Sequence, residues 1–255
     1  MCHAPTFFQS HTSNATMARS RIFKFKQFQV EHSRAAMKVG TDAVLLGAWC
    51  GVQGVRRALD VGTGCGVIAL MVAQRAPEAR VTAIDIDPEA VAEAADNFAA
   101  SPWSDRLSAR QCDFKQFAPG TEEKYDLIVS NPPYFMNGVL PSGDSRTMAR
   151  HTTELTYRQL LDGAKLLLDS NGRLAIVAPA DCESQVLEDC AWCGYSPLRI
   201  TEVAPVDGTA PKRLLWELVH RQGVETERTQ LAIEHSPLNY TDEYRRLCRD
   251  FYLKF

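Results

Sequence analysis

Leu59-Asp60-Val61-Gly62-Thr63-Gly64-Cys65-Gly66 is an apolar run that breaks into three glycines at alternate positions. A buried strand that passes through a tight turn into a helix reads this way. Ile68, Met71 and Val72 follow at helical spacing, and Pro77 marks where that helix has to stop. The alternation continues downstream. Arg80 to Asp85 reads as a second strand, and Pro88 opens a helix with Val91, Ala94, Ala95 and Phe98 as its apolar face. Leu107 to Gln111 and Tyr125 to Ser130 are two further strands. Tyr157, Leu160, Leu161, Ala164, Leu167 and Leu168 mark an amphipathic helix that Asn171-Gly172 is expected to end. Leu174 to Ala178 then reads as a strand, Ser184 to Trp192 as a helix, Leu198 to Val203 as a strand, and Arg213 to His220 as the last strand, joined through Pro205 to Pro211. Strands that alternate with helices form a parallel sheet covered on both faces, and a closing strand-loop-strand is a hairpin. The expected fold is therefore α/β: a three-layer sandwich around a mainly parallel seven-stranded sheet with an antiparallel last strand. A terminal helix carries Tyr244, Leu247, Cys248 and Phe251 on one face, with Thr241 as its cap and Asp242 and Glu243 in its first turn.

The chain has 255 residues, 45% hydrophobic and 23% charged, which excludes a disordered or collagen-like chain and fits one α/β domain with short additions. No apolar run approaches the roughly eighteen residues needed to cross a bilayer. Residues 1–18 read as a disordered leader without the features of a secretory signal, with Met17 close to the start of order, and 19–255 as a single domain. Eight cysteines lie scattered through core-like segments, so reduced thiols in a cytoplasm are expected. Cys190 and Cys193 form one C-x-x-C with no second pair, too few ligands for a structural zinc, and no metal is expected. The net charge of -3 offers no global attraction to nucleic acid. Locally the balance differs: Arg19, Arg21, Lys24, Lys26, Arg34 and Lys38 oppose only Glu31 between Met17 and Gly40. With Phe23, Phe25 and Phe28 interleaved, this basic arm reads either as a phosphate-binding segment or as a half-buried edge strand.

The glycine spacing, Gly62, Gly64, Gly66, is one residue tighter than the dinucleotide fingerprint. Dinucleotides need a helix N-terminus aimed at pyrophosphate. S-adenosylmethionine has no phosphate and needs backbone passing close beside its aminocarboxypropyl chain and ribose, which glycine permits. Asp85 ends the second strand, where a carboxylate accepts from both ribose hydroxyls; Asp113 follows the third strand at the same edge, within reach of the adenine amine. Asp87 is better placed as a helix cap. Asp60, with Ile86 and Phe114 next in the chain to Asp85 and Asp113, completes the cofactor-binding candidates.

Asn131-Pro132-Pro133-Tyr134, directly after the fourth strand, is the most specific feature of the chain. An aniline-like amine is a poor nucleophile because its lone pair is delocalised into the ring. The Asn131 side-chain oxygen and the Pro132 carbonyl can each accept one of its N–H groups, which favours a pyramidal nitrogen aimed at a sulfonium methyl. The prolines fix the backbone, and Tyr134 offers a π-face worth about 1–3 kcal/mol per stacked base. These four residues are the catalytic candidates.

From about Lys26 to Phe255 the chain resembles the bacterial tRNA adenine N-6 methyltransferases that modify position 37 of a valine tRNA. The resemblance rests on the stretch from Met37 to Trp49, the Asp60 to Gly66 loop, Asn131 to Tyr134, Ala149-Arg150-His151, and the ending Asp250-Phe251-Tyr252-Leu253-Lys254-Phe255. It implies a class I, Rossmann-like methyltransferase that takes S-adenosylmethionine as cofactor and tRNA as partner. By position it also implies that Lys38, Thr41 and Asp42 lie over the cofactor, that Asp85 and Asp113 hold its ribose and adenine, and that Asn131 and Tyr134 hold the target base. Lys24, Lys26, Arg150 and His151 are the substrate-binding candidates. The leader before Met17 departs from the family pattern.

Glutamine methyltransferases of release factors share the N-P-P-Y logic, but they look like a helical domain followed by the catalytic one, and only about forty residues precede the core here. Guanine N-2 methyltransferases of ribosomal RNA usually carry a duplicated domain, and DNA adenine methyltransferases a target-recognition domain; neither fits this length. A non-catalytic RNA-binding module would be expected to have an eroded loop, and this loop is intact.

Overall fold

A computed structural model describes residues 22–35, 38–132 and 155–255. The chain opens with an antiparallel hairpin of β1 (Ile22–Lys24) and β2 (Gln29–Glu31), the basic arm. Helix α1 (Thr41–Trp49) is buried along seven of its nine residues. A helix apolar on every side has to be covered on every side, and α1 lies between the sheet and its neighbours α2 and the C-terminal helix. The repeating units follow: β3 (Arg57–Val61), α2 (Val67–Arg75), β4 (Arg80–Asp85), α3 (Pro88–Ala99), β5 (Leu107–Gln111), the short α4 (Phe114–Phe117) and β6 (Tyr125–Ser130). After 155 come α5 (Tyr157–Leu167), β7 (Leu168–Pro179), α6 (Glu183–Cys193), β8 (Ser196–Val206), β9 (Arg213–Val219), β10 (Glu227–Ser236), β11 (Asn239–Tyr240) and α7 (Asp242–Cys248).

Nine strands form one sheet in the order β11-β10-β8-β9-β7-β6-β3-β4-β5. The seven expected strands are its body, parallel except for β9, which runs antiparallel to both β7 and β8. Side chains alternate between two cores. Ala58, Leu127, Val129, Ala175 and Val177 face α1, α2 and α3, whereas Leu59, Val61, Ile128, Leu174 and Ile176 face α5 and α6. Burial on both faces is why these strands read as continuous apolar runs. Among the described residues, no helix is long and apolar enough to cross a membrane.

Three details differ from expectation. Asn171-Gly172 does not end α5: the helix stops at Leu167 and β7 begins at once. The pair forms a bulge, with register shifting from Tyr125↔Leu168 to Leu127↔Arg173, and a Cβ on Gly172 would lie 2.8 Å from the Tyr125 carbonyl oxygen. Second, β9 is not the last strand. Strand β10 adds parallel to β8 and buries only Leu231 among its ten residues, so it carries no apolar alternation to read. Polar side chains help hold it, Arg228 to Glu202 and Glu183, and Gln230 to Glu202. Third, the inward face of α3 is Ala90, Ala94 and Phe98 together with Glu93 and Asn97, while Ala95 is exposed.

The arm packs as a strand and a turn rather than standing off the body. Phe25 and Phe28 are buried and stacked at 4.5 Å, with Tyr252 beside Phe25 and Trp103 edge-on to Phe28. The Lys26 N–H donates to the Phe251 carbonyl at 2.8 Å.

Candidate active site

Strand register builds the site. Val61 pairs with Ile84 on one side and Ser130 on the other, so the residues that leave these strands, Gly62, Asp85 and Asn131, emerge side by side at the carboxyl edge. Neighbouring strands are about 4.8 Å apart, which sets the spacing of the row. The helices after β3 and β4 cover one face and α5 after β6 covers the other, so strand order reverses between β3 and β6. A crevice opens at such a switch point. The Ser130 hydroxyl donates to the Val61 carbonyl at 2.8 Å and ties the two strand ends together.

The glycine loop is held by β4. Gly62 and Thr63 donate their N–H groups to the Ile84 carbonyl, and the Gly64 N–H donates to Asp85 Oδ2 at 2.9 Å. Gly62 and Gly64 have positive φ (71° and 55°), and a Cβ built on either meets no atom within 4 Å. The empty side is where a ligand would pass. Gly66 differs: at φ 83° its Cβ would lie 2.5 Å from the Phe98 ring, so the absence of a side chain here lets the loop pack against α3.

Asp85 accepts from Gly64 and, through Oδ1, from the Asp87 N–H at 3.0 Å. Each oxygen keeps a second lone pair for a ribose hydroxyl. Ile86 is 48% exposed, an apolar surface beside that carboxylate suited to the flat face of an adenine. Asp87 caps α3 through the Glu89 N–H, as its spacing implies.

Asp60 is fully buried. Its Oδ2 accepts from the Thr63 hydroxyl at 2.6 Å and the Ala69 N–H at 3.2 Å, while Oδ1 has no hydrogen-bond partner among the described residues. Burial pushes this carboxyl up to about 7, with nearby Asp85 adding to the effect. An orphaned buried carboxylate oxygen beside a glycine cradle fits a ligand that brings a cation, and S-adenosylmethionine brings an ammonium and a sulfonium.

The remaining candidates divide. Asp113 caps α4, Oδ1 accepting from the Lys115 N–H at 2.9 Å. The Phe114 ring is core, packed so closely on Gly163 that a Cβ there would lie 2.4 Å from it; only its backbone is left to face a cofactor. Lys38 and Thr41 are exposed at the entry to α1. Asp42 Oδ2 accepts from Arg213 Nε at 2.8 Å, which fastens the start of α1 to the start of β9. Lys24 and Lys26 are both exposed, and Lys26 Nζ donates to the carbonyls of Arg249 (2.5 Å) and Phe255 (2.7 Å), which ties the arm to the C-terminal segment. Asn131 is half-buried and Pro132 buried directly beyond β6; Pro133, Tyr134, Arg150 and His151 lie outside the described residues.

Ser130, Thr63, Glu93 and Asn97 escaped the sequence reading. The first two are ordinary polar residues beside a motif. The last two were legible in principle, because inward positions 90, 94 and 98 place 93 and 97 on the same face of the helix.

The family described as "Methyltransferase small domain" matches residues 32–189. A tRNA1(Val) (adenine(37)-N6)-methyltransferase of Erwinia tasmaniensis is 44% identical, over 92% of this chain and 96% of its own. Proteins of the same description from Parabacteroides distasonis (41%; 91% and 98%) and Histophilus somni (38%; 94% and 100%) match equally completely. Among solved structures, one described as a predicted O-methyltransferase of Agrobacterium tumefaciens superposes with a TM-score of 0.61 at 20% identity, covering 82% of this chain and 96% of that one. A glycopeptide N-methyltransferase complexed with S-adenosylmethionine gives 0.52 at 15%, covering 74% and 97%. At such identities these two speak for the fold alone. With matches of this length and identity, the chain belongs to the methyltransferase small domain family and, within it, to the tRNA1(Val) (adenine(37)-N6)-methyltransferases.

Proposed function

We propose that this enzyme methylates the exocyclic N-6 amine of an adenine in tRNA, position 37 of a valine tRNA. The observation that carries the reading is the Val61↔Ser130 pairing, which sets Asn131 next to the glycine cradle. S-adenosylmethionine, the cofactor, supplies an electrophilic methyl group on its sulfonium when bound. Gly62 and Gly64 make room for it, Asp85 is positioned for its ribose, and Asp60 balances its positive charge. The Asn131 side-chain oxygen and the Pro132 carbonyl accept the two N–H groups of the target amine. Those bonds strengthen as the nitrogen becomes pyramidal, so they stabilise the transition state more than the ground state. After transfer the nitrogen sheds one proton to solvent, and no strong base is required. Tyr134 stacks on the adenine in this reading, and Arg150 and His151 contact the RNA.

We read 19–255 as one catalytic domain acting in the cytoplasm without an obligate protein partner or metal. The RNA approaches across the arm, where Lys24 is exposed.

The test is transfer of labelled methyl to an unmodified valine tRNA transcript, followed by nucleoside analysis. The label is expected in N-6-methyladenosine, and a transcript with guanine at position 37 should accept none. Asn131→Ala should lower single-turnover rate on the order of a hundredfold with S-adenosylmethionine affinity retained. Label in a different nucleoside, or a near-normal rate in the variant, would overturn the assignment.

A further inference from the structure

Helix α3 carries two buried polar side chains one turn apart, and both hold the arm. Glu93, with no exposed surface, accepts the N–H groups of three consecutive residues: Ser33 (2.6 Å), Arg34 (2.7 Å) and Ala35 (2.9 Å). Successive N–H groups turned to one point form a cradle for an anion, here occupied by the protein's own carboxylate. Asn97, 5% exposed, accepts the Glu31 N–H at 2.9 Å and returns a bond to the Glu31 carbonyl at 2.8 Å. Its second amide hydrogen goes to the Cys65 carbonyl at 2.9 Å, inside the glycine loop.

One amide therefore joins two segments far apart in sequence. On one side is the arm, which runs on through His32, whose Nδ1 accepts the Val39 N–H at 3.0 Å, to Lys38 and Thr41 at the entry to α1. On the other is the turn whose backbone path shapes the cradle. The same helix is capped by Asp87, two residues from Asp85, and packs Phe98 on Gly66.

We infer that Asn97 is a positioning residue for the cofactor cradle, and that Glu93 acts with it, so that seating of the arm and cofactor affinity are one coupled equilibrium. The inference deepens the proposed function and rests on its cofactor. Because coupling is reciprocal, whatever fixes the arm tightens the cradle, and a filled cradle steadies the arm that meets RNA.

The test is calorimetric binding of S-adenosylmethionine to the full chain with no RNA present. Asn97→Ala removes three hydrogen bonds and is expected to raise the dissociation constant about tenfold, the equivalent of one or two of them. Glu93→Gln, whose hydrogen bonds all go to the arm, should raise it several-fold. The double variant should be no worse than Asn97→Ala, since residues acting through one network are not additive. Val186→Ala, a cavity in the opposite core, serves as the control: it should lower Tm without changing cofactor affinity. In the parent, saturating cofactor should tighten tRNA binding, and Asn97→Ala should remove that gain. Parent-like cofactor affinity in Glu93→Gln, or additive effects in the double variant, overturns the coupling. Should Asn97→Ala not fold, Glu93→Gln decides alone. A parent that binds no S-adenosylmethionine would instead sink the proposed function.

Discussion

Two carboxylates are buried on the sheet face that α1 and α2 cover, in one row across the strands (Asp60, Val129, Ala175, Glu217), and they are treated in opposite ways. Glu217 of β9 sits between two guanidinium groups. Arg199 Nη2 is 2.8 Å from Oε2, and Arg173 Nε is 3.4 Å from Oε1, an ion contact without hydrogen-bond alignment. Gly51 makes room for it, since a Cβ there would lie 2.6 Å from Oε1, and Arg199 also stacks 3.9 Å over Trp49. Asp60 of β3 has a hydroxyl and one N–H on a single oxygen and, among the described residues, no cation. A charge whose partner is built in serves the fold. A charge buried without one costs stability, and it persists where a ligand completes it.

The comparison breaks first at Glu217. Glu217→Ala strands two arginines and should cost about 3–5 kcal/mol in urea unfolding, with S-adenosylmethionine affinity unchanged. A loss under about 1 kcal/mol would mean the cluster is more hydrated than its burial implies.

Asp60 is tested by pH. Its folded carboxyl keeps a proton to about pH 7, whereas the unfolded one releases it near the ordinary value of 3.8. Between those values the unfolded chain binds fewer protons, so stability of the ligand-free protein falls as pH rises from about 4 to 7 and levels off above. At about 1.4 kcal/mol per pH unit, the loss is at most roughly 4 to 5 kcal/mol. Thermal unfolding across pH 4–8 should show this slope in the parent and lack it in Asp60→Asn. Saturating S-adenosylmethionine should flatten it, because a cation at Oδ1 favours the ionised form. A parent with flat stability across that window would show that water or a movement of the loop solvates Asp60.

The same contrast applies, more weakly, to two cations of the arm. Lys26 is engaged by the carbonyls of Arg249 and Phe255, and Lys24 is exposed. Lys24→Ala should lower the salt dependence of tRNA binding by about 0.7–0.9 in slope, one phosphate contact. Lys26→Ala should lower Tm and leave that slope alone. Equal slopes in parent and Lys24→Ala would move the RNA off this arm.

How far the sequence could be read follows from what surrounds each residue. The strands 57–61, 80–85 and 125–130 lie where their apolar runs place them, because both faces are covered and turn residues close both ends. Strand β10 was invisible, since a strand with polar side chains on both faces has no pattern distinct from a loop. Asn171-Gly172 suits both a helix end and a bulge, and only pairing with Tyr125 chooses. At the site, Gly62, Gly64, Asp85 and Asp87 follow from local spacing. Glu93, Asn97, the anchoring of Lys26 and the inward ring of Phe114 depend on contacts between residues distant in sequence, which periodicity does not encode.

The central claim, that the crevice at the ends of β3, β4 and β6 is built for S-adenosylmethionine, is tested most directly by calorimetry on the parent and Gly64→Val. The parent should bind one equivalent. In the variant, a branched side chain fills the open side of the cradle at a backbone angle that such residues avoid, and binding should vanish while far-UV circular dichroism stays that of the parent. Parent-like affinity in a folded Gly64→Val would contradict the account, because the cofactor would then have to lie somewhere other than the glycine loop.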